Sequence, residues 1–280
     1  MSQHRTQWLA LYSALAALLA CGPQAHAVSD AEIAAENARV FAEMKANMPL
    51  VTDQDTINYI ACVANAVVLE LDPEFRDLPW EMAIFAGDTV NAFAMPGGKI
   101  GIMEGILKAA RTQDQLAAVI GHELAHVTLK HGRKDIGRSK YLGVGIQVAA
   151  VLVGGGNQGT TYTAYQALNE GAAYGLILPF SRDQESDADV VGLDFMARAG
   201  FDPFQALDLW KNMNEEAGEA PPEFMSTHPS GEKRIDALVS QMSTVLPIYN
   251  EATQNGRNPD CIPPPMPEKP PGKPADEPKE

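Results

Sequence analysis

This 280-residue sequence has few cysteines, few aromatic residues and no stretch of concentrated positive charge. Lys and Arg number 21 against 36 Asp and Glu, so the formal net charge at pH 7 is -15. Binding to nucleic-acid phosphates needs a positive field, which this composition does not supply. We therefore expect no nucleic-acid partner. A hydrophobic content of 45% in a chain of this length is enough for one domain with a true core.

The sequence also lacks an apolar run of the roughly 20 residues that a membrane span needs. The run from Trp8 to Ala20 is shorter and follows Arg5, which is the pattern of an export signal over residues 1–27. Its end has two readings. A lipobox would make Cys21 a lipidated N-terminus, whereas Ala25-His26-Ala27 fits ordinary signal peptidase. Both predict a periplasmic protein, either an outer-membrane lipoprotein held only by its lipid or a soluble chain.

Only three cysteines are present, and Cys21 is either lipidated or removed in both readings. Cys62 and Cys261 are then the two cysteines left in an oxidising compartment, where disulfides persist. We predict a bond between them that clamps the start of the proline-rich tail, residues 251–280, onto the N-terminal helices. The alternative is two unrelated thiols.

Apolar periodicity and capping patterns predict an α+β domain over residues 28–250, mostly helical with a small sheet. The predicted helices cover residues 29–48, 53–70, 112–130, 181–199, 203–217 and 231–245, and the predicted strands cover residues 80–85, 89–95 and 99–103. A further apolar run, residues 142–155, predicts a packed helix. The glycine-rich segment after it, Gly154 to Tyr165, predicts a mobile loop that can cover a cleft.

The helix over residues 112–130 contains His122-Glu123-Leu124-Ala125-His126, an H-E-x-x-H motif. Spacing of i, i+4 places both imidazoles on one helix face, so one metal ion can bridge them. Glu123 points beside that metal, where a water molecule would sit. The alternative is a helix whose histidines only satisfy hydrogen bonds in the core.

A catalytic zinc takes three protein ligands and keeps one position open. Glu185 and Asp189 share one face of a later helix, so Glu185 can be the third ligand while Asp189 accepts the N–H of a ligating histidine. The alternative is a solvated acidic face. His131 lies off the ligand face if its helix continues, and we expect it to cap the helix C-terminus.

The H-E-x-x-H motif and the later S-R-x-x-E-x-x-A-D motif together resemble peptidase family M48, and most of all its compact, LoiP-like periplasmic members. The resemblance covers about residues 57–245, without the membrane-spanning helices or C-terminal repeat domain of other members. It also includes Asn91 to Gly98, Gly121, and Thr227-His228-Pro229 with Arg234.

This resemblance implies a zincin-like hydrolase of peptide bonds with one Zn²⁺ per chain, held by His122, His126 and Glu185. Glu123 would act as general base. By the same resemblance, His228 would either stabilise the tetrahedral oxyanion or occupy the fourth zinc position in a resting state. The alternative is a turn histidine with no catalytic role.

The strand Asn91, Ala92, Phe93, Ala94 and Met95 is expected to be an exposed edge strand that pairs with an extended substrate, or else an ordinary internal strand. The expected function is zinc-dependent endopeptidase action on unfolded or misassembled envelope proteins, as part of protein quality control. The alternatives are a periplasmic chaperone-like binding protein with little proteolysis and a purely structural zinc site.

Overall fold

The computed structural model describes residues 29–132, 180–216, 223–228 and 234–265. The expected export signal with Cys21, the apolar run of residues 142–155, the loop Gly154 to Tyr165 and the tail beyond residue 265 lie outside these ranges.

The described chain is mostly helical with a three-stranded sheet, which confirms the expected fold class. The helices are α1 (Asp30–Asn47), α2 (Gln54–Val68), the short α3 (Pro73–Arg76), a 3-10 helix (Glu104–Lys108), α4 (Gln113–Thr128), α5 (Arg182–Ala199), α6 (Gln205–Glu216), α7 (Glu223–Thr227) and α8 (Arg234–Gln254). The strands are β1 (Glu81–Phe85), β2 (Ala92–Met95) and β3 (Lys99–Met103).

The helix boundaries follow from local chemistry. Ser29 and Ser181 each form a capping box with the residue three positions on, and Gly200 ends α5 in the left-handed conformation at φ 88°. Helix α8 extends past the expected end at residue 245, and past the expected domain boundary at 250, because the buried side chain of Ala252 continues its packed face.

The sheet has the order β1-β3-β2, with β3 parallel to β1 and antiparallel to β2. One face packs on the helical core. The other face meets α1 through a cluster that includes Phe41, Phe85 and Phe93. The sheet thus lies between α1 and the rest of the domain.

Helix α4 runs through the middle of the domain and contacts α2, α5, α6 and β2. Every residue from Gln115 to Val127 is buried. Helix α5 approaches it most closely at Gly121 and Gly192, where a Cβ on Gly192 would lie 2.8 Å from the backbone nitrogen of His122. Two glycines facing each other therefore allow the two motif-bearing helices to touch through their backbones.

Cys62 on α2 and Cys261 after α8 are joined by a disulfide with a Cα–Cα distance of 5.7 Å, the pairing expected from the sequence. The side chain of Gln113 at the start of α4 donates to the carbonyl of Pro259 and accepts the N–H of Cys261. The segment after α8 is therefore tied to α2 and to the start of α4. Within the described ranges, no helix has the length and apolarity to cross a membrane.

Candidate metal centre

Four buried side chains, from α4, from α5 and from the residue that follows α7, converge beside the middle of α4. They are His122, His126, Glu185 and His228, and one nitrogen or oxygen from each lies within 4.8 Å of all the others. The Nε2 atom of His122 is 3.0 Å from Nε2 of His126 and 3.1 Å from Nδ1 of His228. Glu185 places Oε1 3.5 Å from His126 Nε2 and 3.1 Å from His228 Nδ1.

This donor set fits a zinc ion. Ligand bonds of about 2.0–2.1 Å at tetrahedral angles place neighbouring ligand atoms about 3.3 Å apart. The four separations given above run from 3.0 to 3.5 Å. Imidazole nitrogen and carboxylate oxygen are ligands that zinc accepts in proteins. His122, His126, Glu185 and His228 could therefore hold one zinc without large movement.

Three helices place the ligands: α4 carries two of them, α5 carries one, and α7 ends just before the fourth. The i, i+4 spacing on α4 brings the rings of His122 and His126 to a centroid distance of 4.7 Å. Glu185 lies in the first turn of α5, and His228 directly follows α7, where its ring stacks on Phe224. The amide of Phe224 donates to the carbonyl of Val90, so α7 is attached to the segment that leads into β2.

A second layer of side chains holds the ligands. Asp189 Oδ1 lies 3.0 Å from Nδ1 of His122, the position expected from the sequence. Arg234 donates to Asp189 at 2.5 Å and to Glu185 at 3.3 Å, and its guanidinium lies 3.6 Å from the ring centroid of Trp210. The sequence analysis noted Arg234 only as part of a motif and missed this role, because its partners lie far from it in the chain.

His131 differs from the expectation. Helix α4 ends at Thr128 instead of continuing to residue 130, and Lys130 adopts a φ of 55°. The chain therefore turns back, and His131 is fully buried with its Nδ1 atom 3.0 Å from Nδ1 of His126. The expectation that His131 caps the end of α4 assumed an uninterrupted helix, and the structure instead places its ring against His126.

Glu123 lies beside the four ligands and is only 4% exposed. Its Oε2 atom accepts the backbone N–H of Ala94 at 3.3 Å. Its Oε1 atom is buried without a hydrogen bond among the described residues and lies 3.3 Å from Nε2 of His228. Burial raises the pKa of Glu123 above its usual value, against the opposing charges of His228 and His122. A carboxylate with one oxygen free beside a metal site suits proton transfer.

The pKa values of the ligands are shifted in different directions. Burial lowers the pKa of His126, helped by the neighbouring His122 and His228, so its ring is neutral as metal ligation requires. Burial also acts to lower the pKa of His122, but the carboxylates of Asp189 and Glu185 outweigh it and raise that pKa to about 9. Burial acts to raise the pKa of Glu185, but the hydrogen bonds and charges of His122 and His228 together outweigh it and lower that pKa, which keeps the carboxyl ionised.

Strand β2 lies at the edge of the described sheet, as expected, but its two faces are covered instead of exposed. Ala92, Phe93 and Met95 are buried, and so is Asn91, which precedes the strand. The expectation of exposure was wrong because α1 covers one face of this strand and α4 covers the other. Since Ala94 donates to Glu123, the backbone of Ala92 and Ala94 points away from β3, toward the metal-binding residues.

The sequence matches a known protein family and several of its relatives. Residues 55–242 match the sequence profile of peptidase family M48. The chain is 39% identical over 161 residues to the mitochondrial metalloendopeptidase OMA1 of Schizosaccharomyces pombe, covering 57% of this chain and 45% of that protein. It is 34% identical over 182 residues to OMA1 of Arabidopsis thaliana, covering 64% and 35%.

A second kind of relative is the beta-barrel assembly-enhancing protease of Escherichia coli, 24% identical over 218 residues, or 76% of this chain and 44% of that protein. The chain thus spans about a third to a half of the length of these curated relatives.

Proposed function

The chain belongs to peptidase family M48 and is therefore a metallopeptidase, and from that premise we propose that it is a zinc-dependent endopeptidase for unfolded or misassembled envelope proteins. The observation that carries the proposal is the buried cluster of three histidines and one glutamate with Glu123 beside it. A structural zinc site has no use for an adjacent carboxylate with a free oxygen, whereas a hydrolase does.

His122, His126 and Glu185 would hold the zinc, with Asp189 fixing the ring of His122. When bound, zinc supplies Lewis-acid polarisation of the scissile carbonyl and activation of water. Glu123 Oε1 then accepts the proton of the attacking water and passes it to the leaving amine.

His228 lies inside the donor cluster, 3.1 Å from His122 Nε2, which favours the fourth-ligand role over oxyanion stabilisation. In this arrangement His228 also lies against Glu123, so it has to move aside before substrate can bind. The proposed resting state is thus an inactive one.

The backbone of β2 supplies the proposed docking edge for substrate. Ala92 and Ala94 direct their backbone groups away from β3, so an extended chain that replaces the contact with Glu123 could pair with them regardless of its side chains. Recognition through backbone bonds requires an unfolded segment, which suits a peptidase that removes misassembled proteins. The similarity to a relative named for β-barrel assembly supports misassembled proteins as the proposed substrates.

Substrates with single N-methylated peptide bonds test this pairing without altering the enzyme. Methylation of an N–H that faces Ala92 or Ala94 should reduce cleavage about tenfold, because one such bond is worth about 1.4 kcal/mol when the partner is left unpaired. Methylation at the neighbouring position, which faces away from β2, is the control. Equal effects at alternate positions would contradict strand pairing.

The proposed location is the periplasm, with any membrane contact made through a lipid on Cys21. The disulfide between Cys62 and Cys261 supports an oxidising compartment, since such bonds do not persist in reducing cytosol. The N-terminal export pattern supports the same location.

Glu123→Gln is the central test. The variant should retain zinc and lose cleavage of casein by at least 100-fold, because the amide cannot accept the proton of water. Glu251→Gln, an exposed change of the same kind on α8, should leave cleavage unchanged. Chelation should abolish activity, and zinc should restore it.

Two outcomes would reject the proposal. Full cleavage by Glu123→Gln would show that this residue is not the base. If wild type and Glu123→Gln both prevented aggregation of unfolded proteins and neither cleaved them, the chaperone-like alternative would be favoured.

A further inference from the structure

At the end of α4, the ring of His131, which is outside the four-ligand cluster, meets the ring of the ligand His126. Nδ1 of His131 lies 3.0 Å from Nδ1 of His126, and the side chain of His131 has no exposed surface. This contact exists because the helix stops at Thr128 and the left-handed backbone of Lys130 turns the chain back. A non-glycine residue in that conformation is uncommon.

The direction of the bond follows from the other side of the His126 ring. Its Nε2 atom faces the donor cluster, 3.0 Å from His122 Nε2 and 3.5 Å from Glu185 Oε1. A nitrogen that ligates a metal carries no proton, so the neutral ring of His126 must carry its proton on Nδ1. His131 Nδ1 must then be the acceptor, with the proton of His131 on Nε2.

We propose that His131 is a positioning residue, which accepts the Nδ1–H of His126 and so fixes the tautomer and ring angle needed for metal binding. The inference rests on the proposed zinc peptidase function. It gives each histidine of the H-E-x-x-H motif its own acceptor, a carboxylate of Asp189 for His122 and a neutral imidazole for His126.

A hydrogen bond from α5, the helix that carries Glu185, holds His131 in place. Gln184, the residue before Glu185, donates from Nε2 to the carbonyl of His131 at 3.5 Å. Phe180 stacks on one face of the His126 ring at a centroid distance of 3.8 Å and so confines that ring. The His131 segment therefore joins the end of α4 to the start of α5.

Two substitutions separate hydrogen bonding from packing. His131→Asn retains an acceptor near the position of Nδ1, and His131→Leu fills similar space without one. Zinc affinity should be measured by competition with a chromophoric chelator, with circular dichroism and thermal unfolding of the zinc-free protein as the check on folding. His131→Leu should bind zinc 10- to 100-fold more weakly, the loss typical of an outer-shell partner, while His131→Asn stays within a fewfold of wild type.

A measurement on the zinc-loaded wild-type protein removes any dependence on how the variants fold. With histidine labelled by ¹⁵N, the Nδ1–H of His126 should show a scalar coupling across the hydrogen bond to His131 Nδ1. Absence of that coupling would overturn the inference, as would a folded His131→Leu variant with wild-type zinc affinity or equal losses in the Leu and Asn variants. Failure of the wild-type protein to bind zinc would instead reject the proposed function.

Discussion

The substitution Gly192→Ala tests whether the contact between α4 and α5 sets the geometry of the metal-binding residues. A Cβ at this position would lie 2.8 Å from His122 N, 2.9 Å from Gly121 C and 3.0 Å from His122 Cα. All three atoms belong to the backbone of a buried helix, so no side chain can rotate away. The two helices must separate by about 0.6 Å to reach the 3.4 Å of ordinary contact.

That separation moves the ligands of α4 away from those of α5. Metal and catalytic sites tolerate about 0.5 Å of displacement, and a misplacement of about 1 Å can cost roughly 100-fold in rate. We therefore expect Gly192→Ala to weaken both zinc affinity and peptide cleavage by about 10- to 100-fold. The effect on unfolding is smaller, because overpacking costs about 1–3 kcal/mol while the better helix propensity of alanine returns about 1 kcal/mol.

The assay compares zinc affinity, cleavage of a short peptide and thermal stability in the same preparations. Gly132→Ala is a matched control, since among the described residues its new methyl would meet nothing nearer than the Pro96 side chain at 4.0 Å. It should leave all three quantities near wild type. Wild-type zinc affinity and cleavage in Gly192→Ala would refute the reasoning, because the helices would then tolerate separation without consequence for the ligands.

Three further changes test other parts of the molecule. His228→Ala should raise or preserve peptide cleavage if His228 is a resting-state ligand, whereas a loss of kcat would assign it to the oxyanion. Cys62→Ser should lower the free energy of unfolding in denaturant by up to about 5 kcal/mol, because it opens a loop with a sequence separation of 199; the difference should vanish under reducing conditions. Burial raises the pKa of Asp114 from 3.8, so the native state holds this proton more tightly than the unfolded chain and loses stability as pH rises above that value. Asp114→Asn should therefore raise Tm at pH 7 and have little effect at pH 3.

Local signals predicted the helices and the core of the candidate site. The capping boxes at Ser29 and Ser181 involve residues three positions apart, so they can be recognised without knowing the rest of the fold. The i, i+4 spacing of His122 and His126 likewise determines their shared face once the helix exists. The parallel pairing of β1 with β3 has no comparable signal, because strand pairing depends on contacts between separate parts of the chain.

Residues of the second layer were harder to predict for the same reason. Arg234 meets Asp189 and Trp210 only after three helices have packed together. His131 was misplaced because no glycine or proline announces the end of α4, and the left-handed backbone of Lys130 is uncommon for a lysine. Both residues hold ligands that the sequence had already suggested.

The proposed pairing of substrate with β2 also affects Glu123. The N–H of Ala94 points outward from the sheet, and it is the donor that the Glu123 carboxylate binds at Oε2. A substrate carbonyl that pairs with Ala94 must take the same N–H, so strand addition and this contact with Glu123 compete for one donor. Binding of an extended chain would therefore release the carboxylate from the strand and leave both of its oxygens available for water. In this proposal, substrate pairing and release of the general base would be coupled through the N–H of Ala94.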